Sequence, residues 1–304
     1  MKYLLLVVSI FSGAAKSLVT KQLKTKEKNY VHLFMDNAVA FLMATLLILC
    51  LALFMGPNAF NNIPVGFAVI YAISTLFAQI FLLLATGSGS VSISSLFYSC
   101  GFIIPTFFGV IRYAEKITFL HVLAVALILV SCCLGVEREE ANKKFNFKWL
   151  FFAIGGFVFS GILGVLQKVF QNEYVGASLN GFLIVAFFII FLISVAIGLL
   201  MALRLKKSGV NFIEEKSEES KKIFSARMLF AILLGVSLAV ISPLNTYLSG
   251  ILPSALFFPC GNGGSIIVTT IGSAVIFKEK LSARKIAGIA LCVVAIILIG
   301  IASL

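Results

Sequence analysis

The sequence predicts an all-α, polytopic membrane protein of ten transmembrane helices, arranged as two inverted five-helix repeats. Three observations carry that prediction. First, 61% of the 304 residues are hydrophobic, 12% are charged, and mean hydropathy is +1.10. A soluble domain carries about twice that charged fraction, and here the apolar residues run along the whole chain rather than in one anchor. Second, the chain repeats itself. Ser95-Leu96-Phe97-Tyr98-Ser99-Cys100-Gly101 returns as Ala255-Leu256-Phe257-Phe258-Pro259-Cys260-Gly261. Glu115-Lys116-Ile117-Thr118 returns as Glu279-Lys280-Leu281-Ser282, and Phe11-Ser12-Gly13 as Phe159-Ser160-Gly161. Third, the apolar stretches divide five and five. Two halves with an odd number of spans, joined in series, lie in opposite directions across the bilayer.

The first repeat, residues 1–135, holds apolar stretches at about 3–20, 31–55, 65–84, 91–111 and 119–135. A charged joint, 136–148, leads to the second repeat, 149–304, with stretches at about 149–167, 178–203, 228–248, 254–277 and 286–304. Each is read as long enough to cross about 30 Å of hydrocarbon as a helix. Strands are excluded because an open sheet edge leaves its backbone unsatisfied in lipid. Thr86-Gly87-Ser88-Gly89 and Pro243 blur the ends of the third and eighth stretches. The other long loop, 204–227, mixes seven basic residues with Glu214, Glu215, Glu218 and Glu219, and reads as a solvated cytoplasmic connector. The first twenty residues resemble a signal peptide, but cleavage would break the match between the halves, so they are expected to stay as the first span.

The net charge of +12 does not point to nucleic acid, because Lys and Arg sit at the edges of apolar stretches. There they orient the chain in the membrane. Nineteen fall in the 21–28, 138–148, 204–227 and 278–285 segments, and four (Lys2, Arg112, Lys116 and Lys168) on the opposite side. The positive-inside rule puts the crowded loops in the cytoplasm and both termini outside. Cys50, Cys100, Cys132, Cys133, Cys260 and Cys292 all lie in apolar stretches without histidine at ligand spacing. They read as free thiols packing as small apolar groups, with no disulfide, no metal site and no cofactor expected.

Ten spans in two fives, with Glu-x-hydrophobic-Ser/Thr before the last helix of each half, resemble the drug/metabolite transporter superfamily and, more narrowly, its EamA-type members. The resemblance covers essentially the whole chain. It implies two inverted bundles around a central cavity lined mainly by the first, third and fourth helices of each half. It also implies fifth and tenth helices at a dimer-like edge, which leaves homodimerisation open. Termini in that family are more often cytoplasmic. The charge count here departs from this, so either the chain is flipped or the span count is off by one.

Asp36 is the acidic residue expected within a span. A carboxylate in hydrocarbon is costly unless paired, hydrated or protonated. It reads either as a proton or cation site or as an interfacial residue near Tyr30. Lys16, near the end of the first span, either snorkels toward phosphates or serves as a cavity cation, pairing with Asp36 or holding an anionic substrate group. Lys168 reads as a surface residue at a helix end, and His121 as interfacial. The duplicated segments pair Phe97 and Tyr98 with Phe257 and Phe258. Pro105, Pro259 and Asn262-Gly263-Gly264 are expected to break or kink both copies, freeing backbone groups for substrate, against the plainer reading of helix packing. Asn37, Gln79, Gln167, Asn180, Asn245 and Tyr247 are further polar candidates, each able to bond a neighbouring helix for about 1 kcal/mol.

The function expected is secondary active transport of a small polar metabolite such as an amino acid, by alternating access, with export the favoured direction. The protein would be multi-pass in the plasma membrane, its partners the bilayer, the substrate and a proton or other coupling ion. Efflux of drugs or toxic organic compounds is the alternative, with the aromatic pairs as a stacking site. A membrane-embedded lipid-handling protein is the alternative from another class. No catalytic residues are expected, and no phosphate-binding loop of the Gly-Lys-Ser/Thr kind is present to support ATP-driven pumping.

Overall fold

The computed structural model describes residues 1–25, 30–56, 60–88, 91–135, 147–207, 218–276, 278 and 282–303. Among these there are eleven helices and no strand: α1 (Lys2–Thr25), α2 (Tyr30–Met55), α3 (Val65–Ser88), α4 (Val91–Cys100), α5 (Ile103–Tyr113), α6 (Phe119–Leu134), α7 (Phe147–Glu173), α8 (Leu179–Lys207), α9 (Glu218–Ile251), α10 (Ser254–Ile276) and α11 (Ala283–Ala302). Among the described residues nine segments are long and apolar enough to cross a membrane, with α4 and α5 forming one of them, Ile93–Tyr113. The fifth stretch is shorter than expected: α6 has 16 residues, which is about 24 Å of helix. Most of the 136–148 joint and residues 279–281 of the second Glu echo lie outside the described residues.

Contacts gather the chain into two compact units, each drawing on both sequence halves. The first comprises Met1–Ala14, Ile73–Val175 and Leu244–Leu304; the second comprises Ala15–Ala72 and Gly176–Pro243. In the second unit α2 packs along α8. Phe41, Phe182 and Phe187 are fully buried there, and the Phe41 and Phe187 rings meet edge to face at 5.2 Å. Asn37 donates from Nδ2 to Ser194 Oγ at 3.0 Å. Gly235 of α9 approaches α2 so closely that an added Cβ would lie 2.5 Å from the Ala40 carbonyl oxygen.

In the first unit α6 packs along α11. Ser131 Oγ donates to the Gly288 carbonyl at 2.7 Å, and the lack of a Cβ at Gly288 permits that approach. Such close backbone contacts hold helices together in lipid, where burial of apolar surface gives no net drive. His121, expected at the interface, is instead 4% exposed. Its Nδ1 lies 2.8 Å from Thr118 Oγ1, and its Nε2 lies 3.2 Å from Ser303 Oγ. A buried imidazole needs both nitrogens satisfied, and the start of α6 and the end of α11 supply the partners. All six cysteines are free; Cys100, Cys132, Cys260 and Cys292 are buried, whereas Cys50 and Cys133 are exposed on their helices.

Candidate functional site

In the second unit, Asp36 lies in the second turn of α2 and Arg227 in the early part of α9. Arg227 Nη2 donates to Asp36 Oδ1 at 3.1 Å and Oδ2 at 3.2 Å, and Nε reaches Oδ2 at 3.4 Å. Nη1 lies 3.0 Å from His32 Nδ1. The arginine side chain is 6% exposed and the aspartate 14%. The fork of the guanidinium matches the two carboxylate oxygens, which gives the pair its fixed geometry. Asp36 is therefore paired with Arg227 rather than with Lys16, the partner that one reading of the sequence allowed. Arg227 is not the loop residue the charge pattern suggested: α9 begins at Glu218, and the apolar segment Phe224–Ile251 contains it.

In the first unit, the fourth span is interrupted at Gly101–Phe102. Pro105 has no N–H to give the Gly101 carbonyl four residues earlier, so the helix cannot pass through without a defect. Ile104 N donates to Gly101 O at 3.1 Å instead. Ser160 of α7 donates from Oγ to the Tyr98 carbonyl at 2.7 Å and so staples the end of α4. Gly101 and Gly161 meet at this crossing: a Cβ on Gly101 would lie 2.8 Å from Phe157 O, and one on Gly161 would lie 2.9 Å from Gly101 O. Beside it, Leu96, Phe97, Cys100, Ile154 and Phe157 line an apolar groove of about 320 Å³. The Phe97 ring meets Trp149 at 6.0 Å, and Trp149 Nε1 donates to Ser94 Oγ at 2.9 Å.

The second copy behaves differently from the expectation. Pro259 lies inside α10, which runs unbroken from Ser254 to Ile276. It falls in the second turn, so the carbonyl it leaves unpaired belongs to the first turn, where the helix is only beginning. Asn262 uses Nδ2 to donate to the Phe258 carbonyl at 2.9 Å. Phe257 and Phe258 are core residues, 3% and 5% exposed, with rings edge to face at 4.9 Å. Asn245 accepts from Ser9 Oγ, Tyr247 is exposed, and Gln79 and Tyr98 are half-buried.

Lys168 is buried, not at the surface. At 3% exposure its Nζ lies 2.6 Å from Glu115 Oε1, with that carboxylate 15% exposed. Nζ also donates to the Leu252 carbonyl at 3.3 Å and stands 5.9 Å from the Tyr113 ring centroid. Glu115 Oε2 accepts from the Ser254 N–H at 2.6 Å, at the N-terminus of α10. The positive end of the α10 dipole thus meets a carboxylate, and the lysine balances that carboxylate's charge. At the same end of α7, Arg112 and Tyr113 both reach Glu173 Oε1, at 3.2 Å and 3.3 Å.

These broken, polar-stapled helices can be set beside known proteins. Residues 1–136 match the EamA-like transporter family. The first 136 residues are thus similar to EamA-like transporters, a family of the drug/metabolite transporter superfamily, and the helices of the chain fit a multi-pass membrane protein. A solved crystal structure matches over 98% of this chain and 97% of its own, at TM-score 0.71 and 14% identity. At that identity the likeness shows the fold alone. No curated protein matches by sequence.

Within the chain, the sequence-derived candidates fall into separate groups. Asp36, Asn37 and Lys16 belong to the second unit; Gln79, Phe97, Tyr98, Asn245, Tyr247, Phe257 and Asn262 belong to the first. The residues missed were Arg227, Glu115 and Lys168 as buried members of ion pairs. One signal for Glu115 was present, since it opens the repeated Glu-x-hydrophobic-Ser/Thr motif. Among the described residues no cluster of His, Cys, Asp and Glu could hold a metal ion.

Proposed function

We propose that this protein is a transporter, a secondary active exporter of a small polar metabolite such as an amino acid, working by alternating access in the plasma membrane. The observation that carries the reading is the interruption of the fourth span at Gly101–Phe102. Interrupted helices at membrane depth expose backbone groups that bind substrates and ions in secondary transporters. The inverted-repeat reading draws support from like spans packing together, second with seventh (α2 with α8) and fifth with tenth (α6 with α11). Both termini are placed outside; taking Arg227 and Lys168 out of the loop tally lowers each side by one and leaves the asymmetry standing.

In this mechanism Asp36 alternates between the ion pair with Arg227 and a protonated state that releases it, coupling transport to an ion gradient. The test compares metabolites in the medium of cells expressing the wild type and Asp36→Asn at equal levels. A compound enriched with the wild type alone supports both the activity and the role of Asp36. Equal enrichment by both removes Asp36 from the mechanism. No enrichment by either favours the second reading, efflux of apolar or drug-like compounds. That reading draws on the apolar groove beside Phe97, and resistance to toxic compounds tests it.

A further inference from the structure

At one end of the first unit, where α5 and α7 end and α10 begins, the two halves of the sequence meet. Glycines let them meet closely. A Cβ added at Gly109 of α5 would lie 2.5 Å from Ser254 Cβ of α10. One added at Gly164 of α7 would lie 2.6 Å from Pro105 Cγ of α5. Four polar ties cross between the halves here: Glu115 to Lys168 and to the Ser254 N–H, and Arg112 and Tyr113 to Glu173.

This seam is closed, yet its chemistry suits parting. A buried ion pair stabilises a joint no more than well-packed apolar side chains of similar volume do. Lys168 at 3% exposure and Glu115 at 15% are thus of no advantage to a joint that stays shut. Once parted, both charges regain water, for which apolar side chains have no use. Ser254 Oγ points the same way. It is buried without a hydrogen-bond partner, although Glu115 Oε2 accepts the N–H of the same residue at 2.6 Å. An orphaned hydroxyl is unfavourable, and water admitted to an opened seam relieves it.

We propose that this seam is a gate. Glu115 and Lys168 hold α5 shut against α7 and α10, and they part into water when the protein opens at this end. The proposal rests on the transporter reading above, since alternating access needs a contact between the two halves that closes and opens. With both termini outside, as placed there, the gate faces the outside.

The test uses the full-length chain carrying Ser254→Cys, treated with a membrane-impermeant maleimide on intact cells and on inside-out vesicles. Peptide mass tells the introduced thiol from the six native cysteines. The expected result is labelling of this buried position in one of the two preparations. Adding Lys168→Met with Glu115→Leu should slow that labelling at least about tenfold, because the parted state then exposes apolar side chains instead of charges. Adding Glu115→Gln instead, which weakens the tie, should speed it. Thermal unfolding of each variant shows that it is folded before its rate is read. No labelling from either side overturns the gate, and so does a rate that both sets of changes leave unaltered. Labelling needs no substrate, so an unlabelled seam leaves the transporter reading to the metabolite comparison above. A labelled seam in a protein that enriches no compound supports the gate and counts against the export reading alone.

Discussion

Lys168 Nζ of α7 lies 2.6 Å from Glu115 Oε1, and the other oxygen of that carboxylate holds the first N–H of α10. One carboxylate therefore ties α5 and its exit loop to two further helices of the first unit. Removing one member of a buried pair strands the other charge and costs about 3–5 kcal/mol. Lys168→Ala and Glu115→Ala are each expected to lower the unfolding temperature of the detergent-solubilised protein sharply. The double change Lys168→Met, Glu115→Leu is expected to recover much of that loss, because no charge is left stranded. Single variants as stable as the wild type would show that the pair holds nothing together.

Arg227 and Asp36 make a second pair of the same kind, with the guanidinium 6% and the carboxylate 14% exposed. Arg227→Ala is expected to cost about 3 kcal/mol or more, exceeding the loss from Asp36→Asn, which keeps a hydrogen-bonding oxygen. Arg227→Lys keeps the charge and loses the fork, so it should fall between the two. Thermal unfolding of the three variants checks the order. An Arg227→Ala protein as stable as the wild type would remove the pair from the architecture.

The buried hydroxyl of Ser131 reaches the Gly288 carbonyl at 2.7 Å and joins α6 to α11. Interhelical bonds of this type in membrane proteins are worth about 1 kcal/mol. Ser131→Ala should lower stability by that amount, whereas Ser131→Leu should do far more, since the Gly288 backbone leaves no room. Comparing the unfolding temperatures of the two variants separates the hydrogen bond from the packing.

The helices could be read from the sequence because each apolar stretch is long, and lipid permits little besides a helix. The ion pairs could not. Arg227 stands at the end of a charged run that reads as loop, and only the start of α9 at Glu218 carries it into the protein. Lys168 looks like a helix-end surface residue until folding sets it against Glu115, a partner distant in the chain. Proline illustrates the same limit. Pro259 takes the place of Ser99 in the repeat, whereas Pro105 stands six residues further along its copy; Pro105 has the whole of α4 before it to interrupt, and Pro259 sits where α10 is starting. Sequence shows which residue perturbs a helix, whereas depth within the helix decides what the perturbation does.

The repeat offers a last prediction with its own internal control. Gly101 and Gly261 occupy the same position in the duplicated segment. A Cβ at Gly101 would meet Ser160 Oγ and lie 2.8 Å from the Phe157 carbonyl oxygen, whereas one at Gly261 would meet nothing within 4 Å. The serine hydroxyl can rotate away, but the α7 backbone can yield only by moving the whole crossing. Gly101→Ala should therefore cost about 1–3 kcal/mol as overpacking and also loosen the Ser160 staple on Tyr98. Gly261→Ala, in a helix with open space beside it, should be neutral or stabilising by up to about 1 kcal/mol, the helix preference of alanine over glycine. Unfolding temperatures of the two variants side by side decide it: equal effects would mean that the crossing of α4 and α5 with α7 is not as close as described.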